Sequence, residues 1–120
     1  MIVSDANLLQ FIKTKVNSFI KWDLVRFFHD NPHTKDTAEN IAQYTTRDAL
    51  AVEEELNGLV DAGVLDRQEF SGVNVYSIVE DEKTRQTINH FIESCHDRNF
   101  RVEAIQYVIQ EMRFSPHHDF

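Results

Sequence analysis

Residues 36–79 constrain the fold most, because a run of local signals follows in them at spacings that leave the backbone little freedom. Asp36 stands where a carboxylate can cap a short helix, with Glu39 three residues on in the capping-box position. Ala38, Ile41, Ala42 and Tyr44 form the buried side of that helix. Thr45, Thr46 and Arg47 read as a turn, and Asp48 caps the next helix, its short side chain accepting from the free N–H groups of the first turn. Val52, Leu56, Leu59 and Val60 supply one apolar stripe, and Gly63 ends the helix by taking the left-handed conformation. Two runs rich in Val, Leu, Tyr and Ile, residues 64–70 and 73–79, meet at Ser71-Gly72 and predict a β-hairpin.

Helical patterns flank this block on both sides. Leu8, Leu9, Ile12, Val16, Phe19 and Ile20 recur at helical spacing, and Leu24, Val25, Phe27 and Phe28 continue the apolar face until Asn31-Pro32. One long helix and two helices with a break near Asn17-Ser18 both fit. Asp81 caps a further helix carrying Ile88, Phe91, Ile92 and Cys95, and residues 96–99 interrupt it. A last helix runs from about Phe100, with Val102, Ile105, Val108, Ile109 and Met112 on one side and Phe100, Ala104, Tyr107 and Phe114 on another. Residues 115–120 read as a frayed tail. Trp22, Phe27, Phe28 and Phe91 are core by their spacing.

At 120 residues, with 42% hydrophobic residues, three Gly and two Pro, the expectation is one mainly α (α+β) domain over residues 1–120. It divides into a helix-turn-helix at about 36–63, a two-stranded wing at about 64–79 and C-terminal helices at about 82–114.

This order of elements, and the text TAENIAQYTTRDALAVEEELNGLVDAGVLDRQEFSGVNVYSI, resembles winged helix-turn-helix transcription regulators. The similarity is to the superfamily of the multiple-antibiotic-resistance and arsenical-resistance repressors, over roughly residues 19–80. It rests most on the 37–42 helix start and on LNGLVDAGVL, residues 56–65. The resemblance implies sequence-specific DNA binding as a homodimer, with the helix over 49–62 in the major groove and the wing tip, 69–74, near the minor groove. Carried onto this chain, the contact residues are Thr46, Arg47, Asp48, Ala51, Glu53, Glu54, Asn57, Arg67, Gln68, Ser71 and Asn74.

Charge points the other way. From Asp36 to Glu82 the chain has twelve acidic residues against two basic ones, Arg47 and Arg67, a sum of −10; the rest sums to +2, giving −8 overall. Phosphate contacts need Lys and Arg to displace counterions. One Glu can read a cytosine amino group, but Glu53, Glu54 and Glu55 stand together in the reading helix. A carboxylate about 6 Å from a phosphate costs on the order of 1 kcal/mol, so several offset most of what two arginines contribute. The glutamates are therefore read in three ways: a solvated helix face, a docking surface for a basic partner, or base readers. The partner is accordingly DNA held at low affinity, or a basic protein surface met by an acidic winged-helix module that does not bind DNA by itself.

Leu8, Leu9, Ile12, Tyr107, Val108, Met112 and Phe114 exceed what a winged-helix core can cover, and this predicts a dimer through the terminal helices. The start MIVSDANLLQ lacks a basic n-region and a long apolar run, and no stretch reaches membrane-span length, so no membrane association is expected and a cytoplasmic location is. A single cysteine, Cys95, cannot form an internal disulfide. No histidine pair stands in a zinc spacing, and no Gly-rich phosphate loop or nucleophile elbow occurs. No cofactor, metal or catalytic residue is therefore expected.

Overall fold

The computed structural model describes residues 6–113; Phe114 and the tail at 115–120 lie outside the described residues. Six helices and one hairpin follow in the order α1 (Ala6–Thr14), α2 (Phe19–Asp30), α3 (Ala38–Thr45), α4 (Ala49–Asp61), β1 (Leu65–Phe70), β2 (Val73–Ile78), α5 (Glu82–Ser94) and α6 (Arg98–Arg113). This is a winged-helix-like α+β arrangement. Of the two readings of the first apolar stretch, two helices hold, because Ser18 caps α2 by accepting from the Lys21 N–H. Asn31 ends α2 by donating back to the Phe27 carbonyl.

Asp48 and Asp81 cap α4 and α5 as their positions predict, accepting from the Ala51 and Thr84 N–H groups at 3.0 and 2.9 Å. The cap of α3 differs. Thr37, not Asp36, accepts from the Asn40 N–H. Asp36 is committed elsewhere: its backbone exchanges two hydrogen bonds with Tyr76 of β2, at 2.8 and 3.2 Å, adding a one-residue rung beside the wing. Its carboxylate accepts from the Thr37 N–H and the Asn40 amide, at 2.8 and 2.7 Å.

Strand β1 pairs antiparallel with β2 from Leu65–Ile78 to Phe70–Val73, leaving a two-residue turn. Ser71 and Gly72 both have positive φ, 53° and 82°, the conformation whose twist matches a right-handed hairpin. Gly63, at φ 80°, turns the chain from α4 into β1.

One continuous core joins all these elements. Leu24, Val25 and Phe28 of α2 share it with Ile41 of α3, Val52, Leu56 and Leu59 of α4, Tyr76 of β2 and Phe91 of α5. Helix α1 packs on α6. This corrects the surplus expected at the terminal helices: Leu8, Ile12, Val108 and Met112 are buried within one chain, and Leu9 and Tyr107 are partly buried. The apolar residues that α6 leaves exposed are Val102 and Ile109, at 45% and 42%. Among the described residues no helix is long and apolar enough to cross a membrane.

Candidate functional site

Helix α4 turns Val52, Leu56 and Leu59 inward, so Leu50, Glu53, Glu54 and Asp61 lie on its outer side by the same 3.6-residue period. Leu50, at its first turn, is 77% exposed. Glu53 and Glu54 are exposed, as each of the three readings requires, but Glu55 is not part of that face. It accepts from the buried Ser18 hydroxyl and pairs with Lys21 at 3.9 Å, both side chains being 12% exposed, which ties α4 to α2.

Asn57 is the junction between α4 and the wing. Its Oδ1 accepts from Arg67 Nη1 and from the Tyr76 hydroxyl, each at 2.8 Å. Register explains the convergence: Arg67 and Tyr76 are directly opposed across the hairpin, so both side chains leave the sheet on one face. Asn74 lies two residues before Tyr76 on the same face of β2, near enough to its hydroxyl to act on it. Burial pushes the Tyr76 hydroxyl above its ordinary value and the Glu53 charge adds to this, outweighing Arg67, Asn74 and Asn57. The phenol is therefore a fixed donor.

Alternation sends the neighbours of Arg67 to the opposite face. Gln68 lines a cleft with Pro32, His33 and Ser77 behind the wing, so it does not share the surface of Arg67, Asn57 and Asn74. Ser71 is exposed in the turn, with Phe70 and Val73 beside it at 57% and 49% exposure.

At the other end of α4 the turn residues diverge. Thr46 and Asp48 are exposed and Ala51 is partly buried against the core. Thr46 holds a left-handed conformation, φ 56°, unusual for a β-branched residue, and its N–H donates to the Ala42 and Gln43 carbonyls. Arg47 folds back on α2, where Nε donates to Asp23 at 2.8 Å and Nη2 reaches the same oxygen. Asp23, which composition and spacing did not single out, also holds Arg26 at 3.2 Å. The i,i+3 spacing to Arg26 was a local signal for Asp23, but nothing local marked its pairing with Arg47, 24 residues away. The Arg47 pair is about one-third exposed and is worth about 0–1 kcal/mol, so a phosphate can compete for the guanidinium.

Asp36, just before α3, and Tyr44 of α3 form a second polar cluster; Tyr44 is 60% exposed and not on the buried side expected of it, because its hydroxyl donates to the Asp36 carboxylate at the surface. Partial burial pushes the Asp36 carboxyl up, but bonds from Asn40, Thr37 and Tyr44 outweigh it and hold the group below its ordinary value. The Asp36 charge and the hydrogen bond to it raise the Tyr44 phenol.

Among the described residues no three His, Cys, Asp or Glu side chains converge as a metal site. Burial pushes the Cys95 thiol up to about 11, against the pull of Arg101 and Arg26, so it stays protonated at neutral pH.

No protein-family model and no curated protein matches the sequence. A solved structure described as a possible transcriptional regulator from Methanosarcina mazei Go1 is similar, with a TM-score of 0.55 over 89% of this chain and 94% of that chain, at 16% sequence identity. At that identity the two proteins share a fold.

Proposed function

We propose that this protein is a winged-helix transcription regulator of the multiple-antibiotic-resistance and arsenical-resistance type, one domain acting as a homodimer in the cytoplasm. Its contact surface is the outer side of α4 with the wing and the α3–α4 turn: Thr46, Arg47, Asp48, Ala51, Glu53, Glu54, Asn57, Arg67, Ser71 and Asn74. DNA is the partner in this reading. The observation that carries it is the Asn57 junction, which joins the outer side of α4 to the wing through Arg67 and Tyr76 and so makes one continuous surface of a helix and a hairpin. The fold shared with a possible transcriptional regulator supports it. Arg47 and Arg67 supply the phosphate contacts after exchanging their present partners, and Glu53 and Glu54 keep affinity low.

Selection of duplexes from a random pool at about 50 mM salt, followed by anisotropy titration, tests the reading. Binding that weakens as salt rises is expected, and Glu53→Gln with Glu54→Gln should tighten it without adding sequence preference. Retention of no duplex at that salt would refute DNA as the partner. Sedimentation of the whole chain should give a dimer, with the exposed Val102 and Ile109 of α6 in its contact.

A second reading is favoured by the charges themselves. Glu53 and Glu54 are exposed, whereas Arg47 and Arg67 already have intramolecular partners. The same surface then docks a basic protein segment, and the double Gln change weakens that complex instead.

A further inference from the structure

Behind the wing, on the face opposite Arg67 and Tyr76, lies a cleft of about 430 Å³ walled by the α2–α3 loop, both strands and the first turns of α5. Its charges are mixed. Lys35 and Arg85 supply two cations, and Asp66 and Glu80 two anions. Arg85 is oriented, because its Nε donates to the Val79 carbonyl at 2.8 Å and leaves the terminal nitrogens of the guanidinium for other acceptors. Among the described residues, no hydrogen bond or ion pair within the chain engages those nitrogens or the side chains of Lys35, Asp66 and Glu80. Two charges of each sign, unspent on one another, therefore border one hollow, with Pro32 as an apolar edge.

We infer that this cleft binds a small zwitterion, an α-amino acid, its carboxylate on Arg85 and Lys35 and its ammonium on Asp66 and Glu80. A guanidinium held by one nitrogen presents its other N–H groups as a fork suited to a carboxylate. A simple anion fits worse, since it meets two carboxylates inside the cleft and the repulsion of a chain with net charge −8 outside it. A molecule of zero net charge escapes the second penalty and turns the first into an attraction. The volume lies within the range of about 300–1,000 Å³ usual for small-molecule sites, with Pro32 at the edge for the ligand's side chain. This inference stands apart from the contact surface on α4, and neither depends on the other.

Amide NMR of the whole chain, titrated with each natural amino acid, reads the site directly. Saturable shifts centred on Thr34, Ser77 and Arg85 are expected for at least one amino acid. Its N-acetyl form, which keeps only the anion, and its carboxamide, which keeps only the cation, should each bind at least about tenfold more weakly. Arg85→Gln should abolish the shifts. Because Arg85 also bonds the backbone, Asp66→Asn is the second variant, an exposed strand position whose change leaves the hairpin register alone, and it too should lose about tenfold. The inference is overturned if no amino acid gives saturable shifts up to about 10 mM, if the N-acetyl form binds as well as the free one, or if Asp66→Asn binds unchanged.

Discussion

Phe91 and Asn57 are the hubs of two ends of this molecule, and they hold their neighbours by different means. The Phe91 ring of α5 meets Trp22 of α2 at 5.3 Å, Phe11 of α1 at 5.5 Å and Phe100 of α6 at 6.3 Å, so one side chain touches three helices. Asn57 gathers Arg67 and Tyr76 through a single acceptor oxygen, with Asn74 and Glu53 close by. Burial of the rings rests mainly on the non-directional hydrophobic effect and carries no charge for pH or a competing ion to claim. The Asn57 junction is directional, borders solvent, and includes a charge that another partner can claim. The aromatic end is thus a scaffold, and the polar end is a surface whose contacts can be exchanged.

The largest expected effect sharpens that contrast. Phe91→Ala should lower unfolding free energy by about 3–5 kcal/mol in a urea titration, through the cavity left among three helices. A loss below about 1 kcal/mol would mean that the rings are peripheral to stability. Asn57→Ala should cost less, about 1–3 kcal/mol, because it strands the hydroxyl of Tyr76, a residue with no solvent exposure. Tyr76→Phe removes the donor instead and should cost about 0.5–1.5 kcal/mol. Simple addition of the two costs in the double variant would break the idea of a coupled junction.

Smaller still is the expected effect of Glu53→Gln with Glu54→Gln, within about 0.5 kcal/mol of wild-type stability, since both side chains face solvent. A larger change by thermal unfolding would show that the glutamates belong to the fold. The pH dependence separates the two ends last. Asp36 is held below the ordinary 3.8, so what it contributes is fully present above that value and is lost as pH falls through the lower folded value. Asp36→Asn should flatten the acid limb of a stability–pH profile below 3.8, and Phe91→Ala should leave the shape of that limb unchanged. An acid limb identical in wild type and Asp36→Asn would remove Asp36 from the account.

The elements, and most of their ends, were legible in the sequence because they rest on geometry that repeats within a few residues. A cap reaches an N–H three positions on, as Asp48 and Asp81 do, and a two-residue turn at Ser71-Gly72 sets the whole hairpin register. Period-two alternation already puts Arg67 and Gln68 on opposite faces. Which face meets α4 was decided by the tertiary structure, through Asn57.

Partner choice across long separations belonged to the tertiary structure for the same reason. Arg47 finds Asp23 at a separation of 24 residues, Glu55 finds Ser18 at 37, and Tyr76 finds Asn57 at 19. Even the local misreading of Asp36 as a cap has this origin, since a backbone rung to Tyr76 claims that residue and passes the cap to Thr37. The surplus apolar surface of the terminal helices is resolved by α1 packing on α6, near the two ends of the described chain. Apolar period fixes that a side chain must be covered. Only the meeting of distant elements fixes what covers it, because burial has no preferred partner until the chain has folded.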